Sequence, residues 1–300
     1  SFKLEKTIID AEIQVLRELG VEIRCGVEVG RDVTIPQLRE QGFLAFYIAI
    51  GCQGGRLPGV PGEHAAGTDI AVHFLHEALA DENQHMDGRV VVIGGGNVAV
   101  DCARTAVRFG AEAVSMVCLE SRDTMPASKD EIAEAEEEHI EIHTGWGPKE
   151  LLQDESGHVT AVVFKKCLRT IDPETGKFAP VYDEAETITL PADHVVFAIG
   201  QAIEWGGLLK DTKVTFHRGN YPVADPLTYQ TAEADIFVGG DVYHGPKFVI
   251  DAIEEGKCAA ESLHRYVHKG ASLTIGRNRR DFVMLDKENF SVNCYDHAAR

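Results

Sequence analysis

The feature that most constrains the fold of this chain is an apolar run that ends in three glycines and continues into an alanine-rich segment. Val90 to Ile93 are four consecutive β-branched residues, Gly94-Gly95-Gly96 follow directly, and Asn97-Val98-Ala99 begin a stretch with helical spacing. A strand, a glycine turn and a helix in this order match the G-x-G-x-x-A pattern of dinucleotide-binding βαβ units. The pattern therefore predicts an α/β fold with a nucleotide site.

The glycines and alanines of this segment have separate predicted roles. Gly94 permits the tight turn out of the strand, and Gly96 has no Cβ, so that a pyrophosphate can approach the backbone. Ala99, Ala103 and Ala106 allow the helix to pack close to the sheet. The helix N-terminus offers free N–H groups and a partial positive charge to the phosphates. The alternative is a strand–helix turn that binds no ligand.

The end of the next apolar strand indicates which dinucleotide is bound. Glu120 follows "AVSMVCL" at the distance where an acidic residue accepts hydrogen bonds from the adenosine ribose. A carboxylate there repels a 2′-phosphate, which predicts NAD(H) in preference to NADP(H). Ser121 and Arg122 complete the predicted set at this strand end. The alternative is that Glu120 lies on the surface and Arg122 binds a 2′-phosphate.

Composition excludes several other classes of protein. The formal net charge is −19, which argues against nucleic acid or an anionic membrane surface as the main partner. Strong acidity is compatible with a basic protein partner or simply with solubility. No apolar run approaches the roughly 20 residues needed to span a bilayer. Seven scattered cysteines without a C-x-x-C pair predict reduced thiols in the cytoplasm, and neither a dithiol centre nor an iron–sulfur cluster in this chain.

Periodicity predicts the remaining elements. An acidic helix is expected at 130–138, with its charges on a solvated face, and an antiparallel meander at 159–190, with a Pro-Glu-Thr-Gly turn. Further strands are expected at 21–29, 43–51, 194–200 and 234–241, and further helices near 9–16, 70–80 and 248–267.

A second glycine segment carries a resemblance to a known family. Gly239-Gly240-Asp241 end an apolar strand, and Gly245-Pro246 lead into a helix, with proline expected in its first turn. Together, "GGGNVAVDCARTAVRFGAE", "MPAS", "AIGQ" and "GPKFVIDAIEEGKCAAESL" resemble the small (beta) subunit of glutamate synthase and related two-dinucleotide flavoproteins. The resemblance covers residues 1 to about 270.

The resemblance implies a flavin site. Gly240 and Asp241 would hold the pyrophosphate and ribityl chain of FAD, and the segment 246–249 would lie beside the isoalloxazine ring. Gly51 and Gly200 would border the flavin where the chain crosses between domains. The alternatives are a turn or cap role for Asp241 and ordinary turn glycines at 51 and 200. The complete predicted set of cofactor contacts is Gly51, Gly94, Gly95, Gly96, Asn97, Val98, Glu120, Ser121, Arg122, Gly200, Gln201, Gly240, Asp241, Pro246, Lys247, Phe248 and Val249.

Two departures from the family pattern qualify the resemblance. Relatives that use NADPH carry a Tyr-Arg-Arg-Ser run where this chain has Cys118-Leu119-Glu120-Ser121, so the family comparison also favours NAD(H). The family's first strand–GxGxxG–helix unit and its N-terminal iron–sulfur region have no counterpart here. We therefore expect a fragment of a larger polypeptide that binds FAD weakly or not at all when it is made alone.

The expected architecture is α/β, with two Rossmann-like, three-layer dinucleotide-binding domains and a small antiparallel meander. An NAD(P) domain at 61–200 is inserted into an incomplete flavin domain formed by 1–60 and 201–270, and 271–300 form a tail. The expected function is hydride transfer from NAD(P)H to FAD, with electrons passed to iron–sulfur centres in other domains or subunits. No side chain is assigned as a catalytic acid or base, and no metal site is predicted. The alternative is a nucleotide-binding or scaffold domain without turnover.

Overall fold

A computed structural model of the protein describes residues 5–80, 85–217 and 219–278 and has an α/β fold. The helices are α1 Lys6–Glu18, α2 Ile35–Glu40, α3 Ala71–Ala80, α4 Asn97–Arg108, α5 Lys129–Glu137, α6 Asp241–His244 and α7 Val249–Val267. The strands are β1 Phe46–Ile48, β2 Gly54–Gly55, β3 Thr68–Ile70, β4 Arg89–Ile93, β5 Ala113–Cys118, β6 Glu141–Thr144, β7 Trp146–Gln153, β8 Val159–Ile171, β9 Phe178–Pro191, β10 His194–Phe197, β11 Gln201–Ala202 and β12 Ile236–Val238.

The larger core is a parallel sheet with the strand order β3-β10-β4-β5-β6, covered on both faces. Val90 and Val92 of β4 pack into a cluster with α3, α4 and α5, and Val91 and Ile93 pack into a second cluster with β7 and β8. Successive side chains of a strand point to opposite faces, so a continuous apolar strand requires two covering layers. The predicted α/β class is confirmed, and so is antiparallel pairing in the predicted meander at 159–190, where β8 pairs with β9. The third strand of this sheet, β7, pairs with β8 and was not predicted.

A second, smaller parallel sheet pairs β1 with β12, and Ile48 lies opposite Val238. These strands form an apolar cluster with α2 and the segment 203–214. Parallel strands end at the same edge of a sheet, so the turns after Ile48 and Val238 lie together. The short ribbon of β2 and β11 joins the chain segments that run between the two sheets, with Gln201 opposite Gly55.

The predicted strand at 21–29 is wrong. Among the described residues this segment forms only the isolated bridge from Val29 to Val33, and Val21, Ile23 and Val27 are exposed. An alternating sequence becomes a strand only when a neighbouring strand accepts its hydrogen bonds, and no described strand lies beside this segment.

The acidic helix α5 has most of its carboxylates on the solvated face that was predicted, since Asp130, Glu134, Glu136 and Glu137 are exposed, but two acids of this stretch also pair with α4. The buried Arg104 of α4 pairs with Glu134 and, at 2.8 Å, with Glu138, and Arg108 donates to the same Glu138 carboxylate at 2.8 Å. These guanidinium groups lower the pKa of Glu138. Ion pairs of Glu134 and Glu138 therefore stabilise the packing of α5 on α4. This packing places the loop before α5 close to the glycine turn.

The chain beyond α7 returns to that helix as far as the structure describes it. Residues 271–278 contain no helix or strand, and Arg277 donates hydrogen bonds to Ser262 Oγ and Cys258 O at 2.5 and 2.9 Å. The rest of the predicted tail, 279–300, lies outside the described residues. No helix in the described ranges is both long enough and apolar enough to cross a bilayer.

Candidate functional site

The glycine turn after β4 is shaped partly by the chain itself. Gly94 has a φ of +146°, and its N–H donates to Val117 O at 2.8 Å. A Cβ on Gly94 would lie 2.9 Å from the carbonyl carbon of Ala198 and closer still to its oxygen. Gly94 is therefore required for the close approach of β4 to the segment after β10, whether or not a ligand is present.

Gly96 differs because nothing in the described protein requires it to be glycine. Its φ of −95° and ψ of 176° suit any residue, and no heavy atom lies within 4 Å of the position of a Cβ. Gly96 caps α4, whose first N–H groups have no acceptor within the helix. Ala99, Ala103 and Ala106 are fully buried, as the predicted close packing of α4 requires. The turn thus presents an open approach to a helix N-terminus, which is the arrangement that a pyrophosphate needs.

The end of β5 brings a carboxylate to the same turn. Glu120 Oε2 lies 3.1 Å from the position of a Cβ on Gly95, although the two residues are far apart in the chain. Arg122 points to α5, where its guanidinium pairs with Glu136 at 2.6 Å. Ser121 forms a hydrogen bond with Thr124 at 2.9 Å and begins a short 3₁₀ turn. At this edge the carboxylate faces the glycines, while the arginine is held by another acid.

Sequence reasoning missed the use of Asn97 within the protein. Its Oδ1 accepts the N–H of Ser128 at 2.9 Å, and Gly95 O accepts the N–H of Ala127 at 3.0 Å. These bonds hold the "MPAS" loop over the glycine turn, with Met125 and Ala127 buried. The Asn97 side chain therefore orders the rim of the turn, whereas Val98 lies half-buried in the first turn of α4.

Cys118, at the end of β5, lies beneath the turn. Its Sγ is 3.3 Å from the position of a Cβ on Gly95. Burial raises the pKa of this thiol to about 12, so the group stays protonated and behaves as a small apolar side chain. A larger residue at position 118 would push against the turn.

The second glycine turn borders a pocket of about 260 Å³ at the edge of the β1–β12 sheet. Its lining residues are Tyr47, Ala49, Gly51, Gly239, Gly240, Asp241, Lys247, Phe248, Val249 and Ala252. Six of these were predicted as flavin contacts from the sequence. Phe248 and Val249 are 71% and 77% exposed, so they offer a bare apolar surface at the mouth of the pocket.

The turn itself is tied into the protein at several points. Gly240 has φ +72° and ψ −158°, and its N–H donates to Glu255 Oε2 at 2.6 Å. Asp241 is the first residue of α6, and its carboxylate accepts the N–H of Lys247 at 3.2 Å. The buried Cys52 thiol donates to Asp241 O at 3.4 Å. Asp241 thus has the turn-stabilising role of the alternative interpretation, and it also faces the pocket.

Four other predicted positions are placed differently from one another. Gly51 lines the pocket with a φ of +66°, whereas Gly200, with φ +128°, lies against Arg56 in the ribbon between the sheets. Gln201 lies in the same ribbon. Pro246 was expected in the first turn of α7, but the helix begins at Val249 and Phe248 is its N-cap. The helix start is fixed at Val249 by Asp251, whose carboxylate accepts the N–H of Phe248 at 3.2 Å. Pro246 therefore lies before the helix, as an exposed loop residue.

Sequence reasoning missed Tyr47 and Glu255 at this site. Tyr47 lies opposite Phe237 in the β1–β12 ladder and packs its phenol ring directly on Gly239. Burial raises its pKa to about 12. Glu255 could have been noticed in the sequence, because it places a carboxylate on the apolar face of the predicted helix. A polar group that is buried there requires a hydrogen-bond partner.

Comparison with known proteins bears on what these turns hold. The family model described as pyridine nucleotide-disulphide oxidoreductase matches residues 37–256. The beta subunit of the NADP(+)-dependent formate dehydrogenase of Moorella thermoacetica is 34% identical over 99% of this chain and 41% of its own length. The glutamate synthase [NADPH] small chain of Halomonas elongata is 33% identical over 89% of this chain and 58% of its own length. A third relative, the NAD-dependent dihydropyrimidine dehydrogenase subunit PreT of Escherichia coli strain K12, is 31% identical over 90% of this chain and 59% of its own length.

These relatives confirm the resemblance that was drawn from the four motifs. The chain spans roughly half the length of the curated relatives that it matches. Among solved structures, Mycobacterium tuberculosis FprA in complex with NADPH has a TM-score of 0.62 at 18% identity, over 80% of this chain and 67% of the other. Thioredoxin reductase of T. acidophilum has a TM-score of 0.55 at 21% identity, over 74% of this chain and 65% of the other. At these identities the structures show a shared fold.

Proposed function

The chain belongs to the pyridine nucleotide-disulphide oxidoreductase family, and we propose that it is the nucleotide-binding part of an FAD-dependent NAD(P)H oxidoreductase. Members of this family are FAD-dependent NAD(P)H oxidoreductases. The observation that carries the proposal is the open approach to α4 at Gly96 together with the pocket beside Gly240 and Asp241, each at the carboxyl end of a parallel strand. Bound FAD would supply the redox chemistry, with hydride transfer from the nicotinamide dinucleotide and onward transfer of electrons to iron–sulfur centres in other domains or subunits, while residues of the two turns would hold the two dinucleotides.

The first turn would bind the nicotinamide dinucleotide. The space beside Gly96 admits the pyrophosphate, and the backbone from Gly94 to Val98 supplies the helix N-terminus toward which it points. Glu120, whose carboxylate lies beside Gly95, would accept hydrogen bonds from the adenosine ribose. The residues thus fit this group without a change in the turn.

We further propose that NAD(H) is preferred to NADP(H). The relatives do not decide this point, because their names include both NADP-linked and NAD-dependent proteins. The preference is supported by the Glu120 carboxylate at the turn and by the pairing of Arg122 with Glu136. A 2′-phosphate would meet a negative charge and would have to draw the arginine away from its partner.

The second turn would bind FAD. Gly240 allows close approach of the pyrophosphate, and Asp241 would accept hydrogen bonds from the ribityl hydroxyls. The isoalloxazine ring would cover the exposed side chains of Phe248 and Val249, whose apolar surface otherwise faces water. Lys247, at the pocket wall, would place a positive charge near the ring or the phosphates.

The proposed domain organisation follows from these two sites. Residues 61–200 would form the NAD(P) domain, inserted between the flavin-domain segments 1–60 and 201–270. The five-stranded sheet falls within the first range, and β1, β12 and α7 fall within the others. The β2–β11 ribbon would connect them. The electrons would leave toward partner iron–sulfur domains, and the names of the relatives describe subunits or small chains of other enzymes.

The proposal is tested on the purified full-length protein by mixing it anaerobically with NADH or NADPH and following the flavin absorbance band. We expect reduction by NADH, with a Kd at least about tenfold lower than for NADPH. The Glu120→Arg variant should narrow or reverse this preference. The matched control is Glu112→Arg, which makes the same charge change at the opposite, exposed end of β5 and should leave the preference as it is.

Two outcomes would contradict parts of the proposal separately. Equal Kd values for NADH and NADPH in the wild type would contradict the proposed cofactor preference. They would leave the proposed oxidoreductase activity standing. Binding of NADH without any bleaching of a bound flavin would contradict the oxidoreductase and favour a nucleotide-binding module without turnover.

A further inference from the structure

A buried carboxylate lies directly behind the second glycine turn. Glu255, on α7, is 5% exposed, although a buried carboxylate is costly unless both of its oxygens are satisfied. Its Oε2 accepts the N–H of Gly240 at 2.6 Å, and its Oε1 lies 3.2 Å from His244 Nε2. Burial raises the pKa of this group, and the Gly240 N–H and the charge of Lys247 oppose that rise. Glu255 is not among the residues that line the pocket.

The two partners of Glu255 stand at the two ends of one short helix. Gly240 is the N-cap of α6, and His244 is its last residue. A single carboxylate on α7 therefore contacts both ends of this helical turn, through a hydrogen bond from the Gly240 N–H and a 3.2 Å approach to His244 Nε2. Asp241, the proposed ribityl contact, is the first residue between them.

The turn needs such a restraint because its backbone is unusual. Gly240 has φ +72° and ψ −158°, a combination open essentially only to glycine. Conformations of this kind persist where the surroundings fix them. On one side Tyr47 packs on Gly239, and on the other side Glu255 draws in the Gly240 N–H. Gly240 can then contribute close approach to a ligand, but its N–H is already donated within the protein.

We infer that Glu255 is a positioning residue for flavin, which clamps both ends of α6 and thereby fixes Gly240 and Asp241 against the pyrophosphate and ribityl chain. This inference rests on the proposed flavin site. It predicts that the hydrogen-bond acceptor at position 255 matters to flavin binding more than the negative charge does, because the Gly240 N–H is the restraint at the turn.

The test compares Glu255→Ala with Glu255→Gln in the purified full-length protein after removal and titration of FAD. The amide of the glutamine variant keeps an oxygen that can accept the Gly240 N–H, whereas alanine removes it. We expect the alanine variant to bind FAD at least about tenfold more weakly, and the glutamine variant to stay within about threefold of the wild type. The visible circular dichroism of bound flavin should shift in the alanine variant alone. The control is Glu261→Ala, which removes an exposed carboxylate elsewhere on α7.

The possible results separate this inference from the proposed function. Wild-type FAD affinity in Glu255→Ala, or an equal loss in Glu255→Gln, overturns the inference alone. Absence of FAD binding by the full-length natural polypeptide that contains this chain overturns the proposed function and the inference with it. Weak FAD binding by the 300-residue chain made alone is the expected result and overturns neither. If the alanine variant does not fold, Glu255→Asp replaces it, since the carboxylate is drawn back by one methylene from Gly240. A tenfold loss is then expected, and unchanged affinity overturns the inference.

Discussion

Two glycines of the first turn, Gly94 and Gly96, should respond differently to substitution by alanine. The first substitution should lower the stability of the fold, and the second should weaken the binding of NADH. In Gly94→Ala the new Cβ would lie 2.9 Å from the Ala198 carbonyl carbon, and the residue would have to keep a φ of +146°. The unfavourable backbone conformation costs about 1–3 kcal/mol, and a clash with packed backbone costs about as much again. We therefore expect Gly94→Ala to lower the free energy of unfolding by about 2–6 kcal/mol.

Gly96→Ala should leave the fold almost unchanged. Its φ of −95° is ordinary for alanine, and the Cβ would meet no atom within 4 Å. Loss of a glycine N-cap and the smaller entropy of the unfolded chain act in opposite directions, so the net change in stability stays within about 1 kcal/mol. The Cβ would, however, occupy the space proposed for the pyrophosphate. NADH binding should weaken at least about tenfold.

The assay is urea unfolding at pH 7, followed by circular dichroism, together with calorimetric titration of NADH into each folded variant. The reasoning about the turn would be refuted by a Gly94→Ala protein as stable as the wild type. The reasoning about the nucleotide would be refuted by a Gly96→Ala protein that binds NADH with wild-type affinity.

Two further predictions concern ion pairs in the larger core. Arg89 donates hydrogen bonds to the Asp193 carboxylate from its side chain and from its backbone N–H, and these bonds lower the pKa of Asp193 to about 2. The stabilisation of the fold by this ion pair is therefore complete above pH ~4 and is lost as the pH falls toward 2. Because the Asp193 side chain is 38% exposed, Asp193→Asn should cost only about 1 kcal/mol in urea unfolding at pH 7, and the difference should shrink by pH 3. Arg104→Met should cost about 2–4 kcal/mol in the same assay, since it removes a buried guanidinium from Glu134 and Glu138, of which Glu138 still keeps Arg108. Arg122→Met breaks an exposed pair and should cost less than about 1 kcal/mol. Equal effects of the two arginine variants would contradict this assignment.

The parts of the fold that could be predicted from the sequence depend on short-range patterns. The strand β4, the turn at Gly94 and the helix α4 follow one another within 20 residues, and each has its own signal in apolar pattern, glycine or alanine spacing. The predicted meander likewise follows from alternation and a turn sequence, because hairpin pairing is local. The choice of Glu120 depended on a fixed distance from the glycines, and the structure does bring its carboxylate to Gly95.

The parts that could not be predicted depend on partners that are distant in the chain. Nothing near Glu138 shows that it will meet Arg104, and nothing near Glu255 shows that its oxygens will meet Gly240 and His244. The segment 21–29 has the pattern of a strand but no described neighbour to pair with. Local pattern states what a segment can form, and the tertiary partner decides whether it forms.

The two glycine turns also differ in whether the packing and backbone of the protein alone require their glycines. A Cβ on Gly239 would lie 3.0 Å from Tyr47 Cζ and closer still to its oxygen, and Gly240 needs its left-handed φ. Both glycines of the second turn are therefore explained by the protein alone, unlike Gly96 in the first turn. It follows that glycine content is weak evidence for a ligand at the second turn. The proposed recognition of flavin there would depend on Asp241 and on the exposed apolar side chain of Phe248. The flavin assignment is thus tested best through Asp241 and the Glu255 clamp behind it, and the nicotinamide assignment through Gly96.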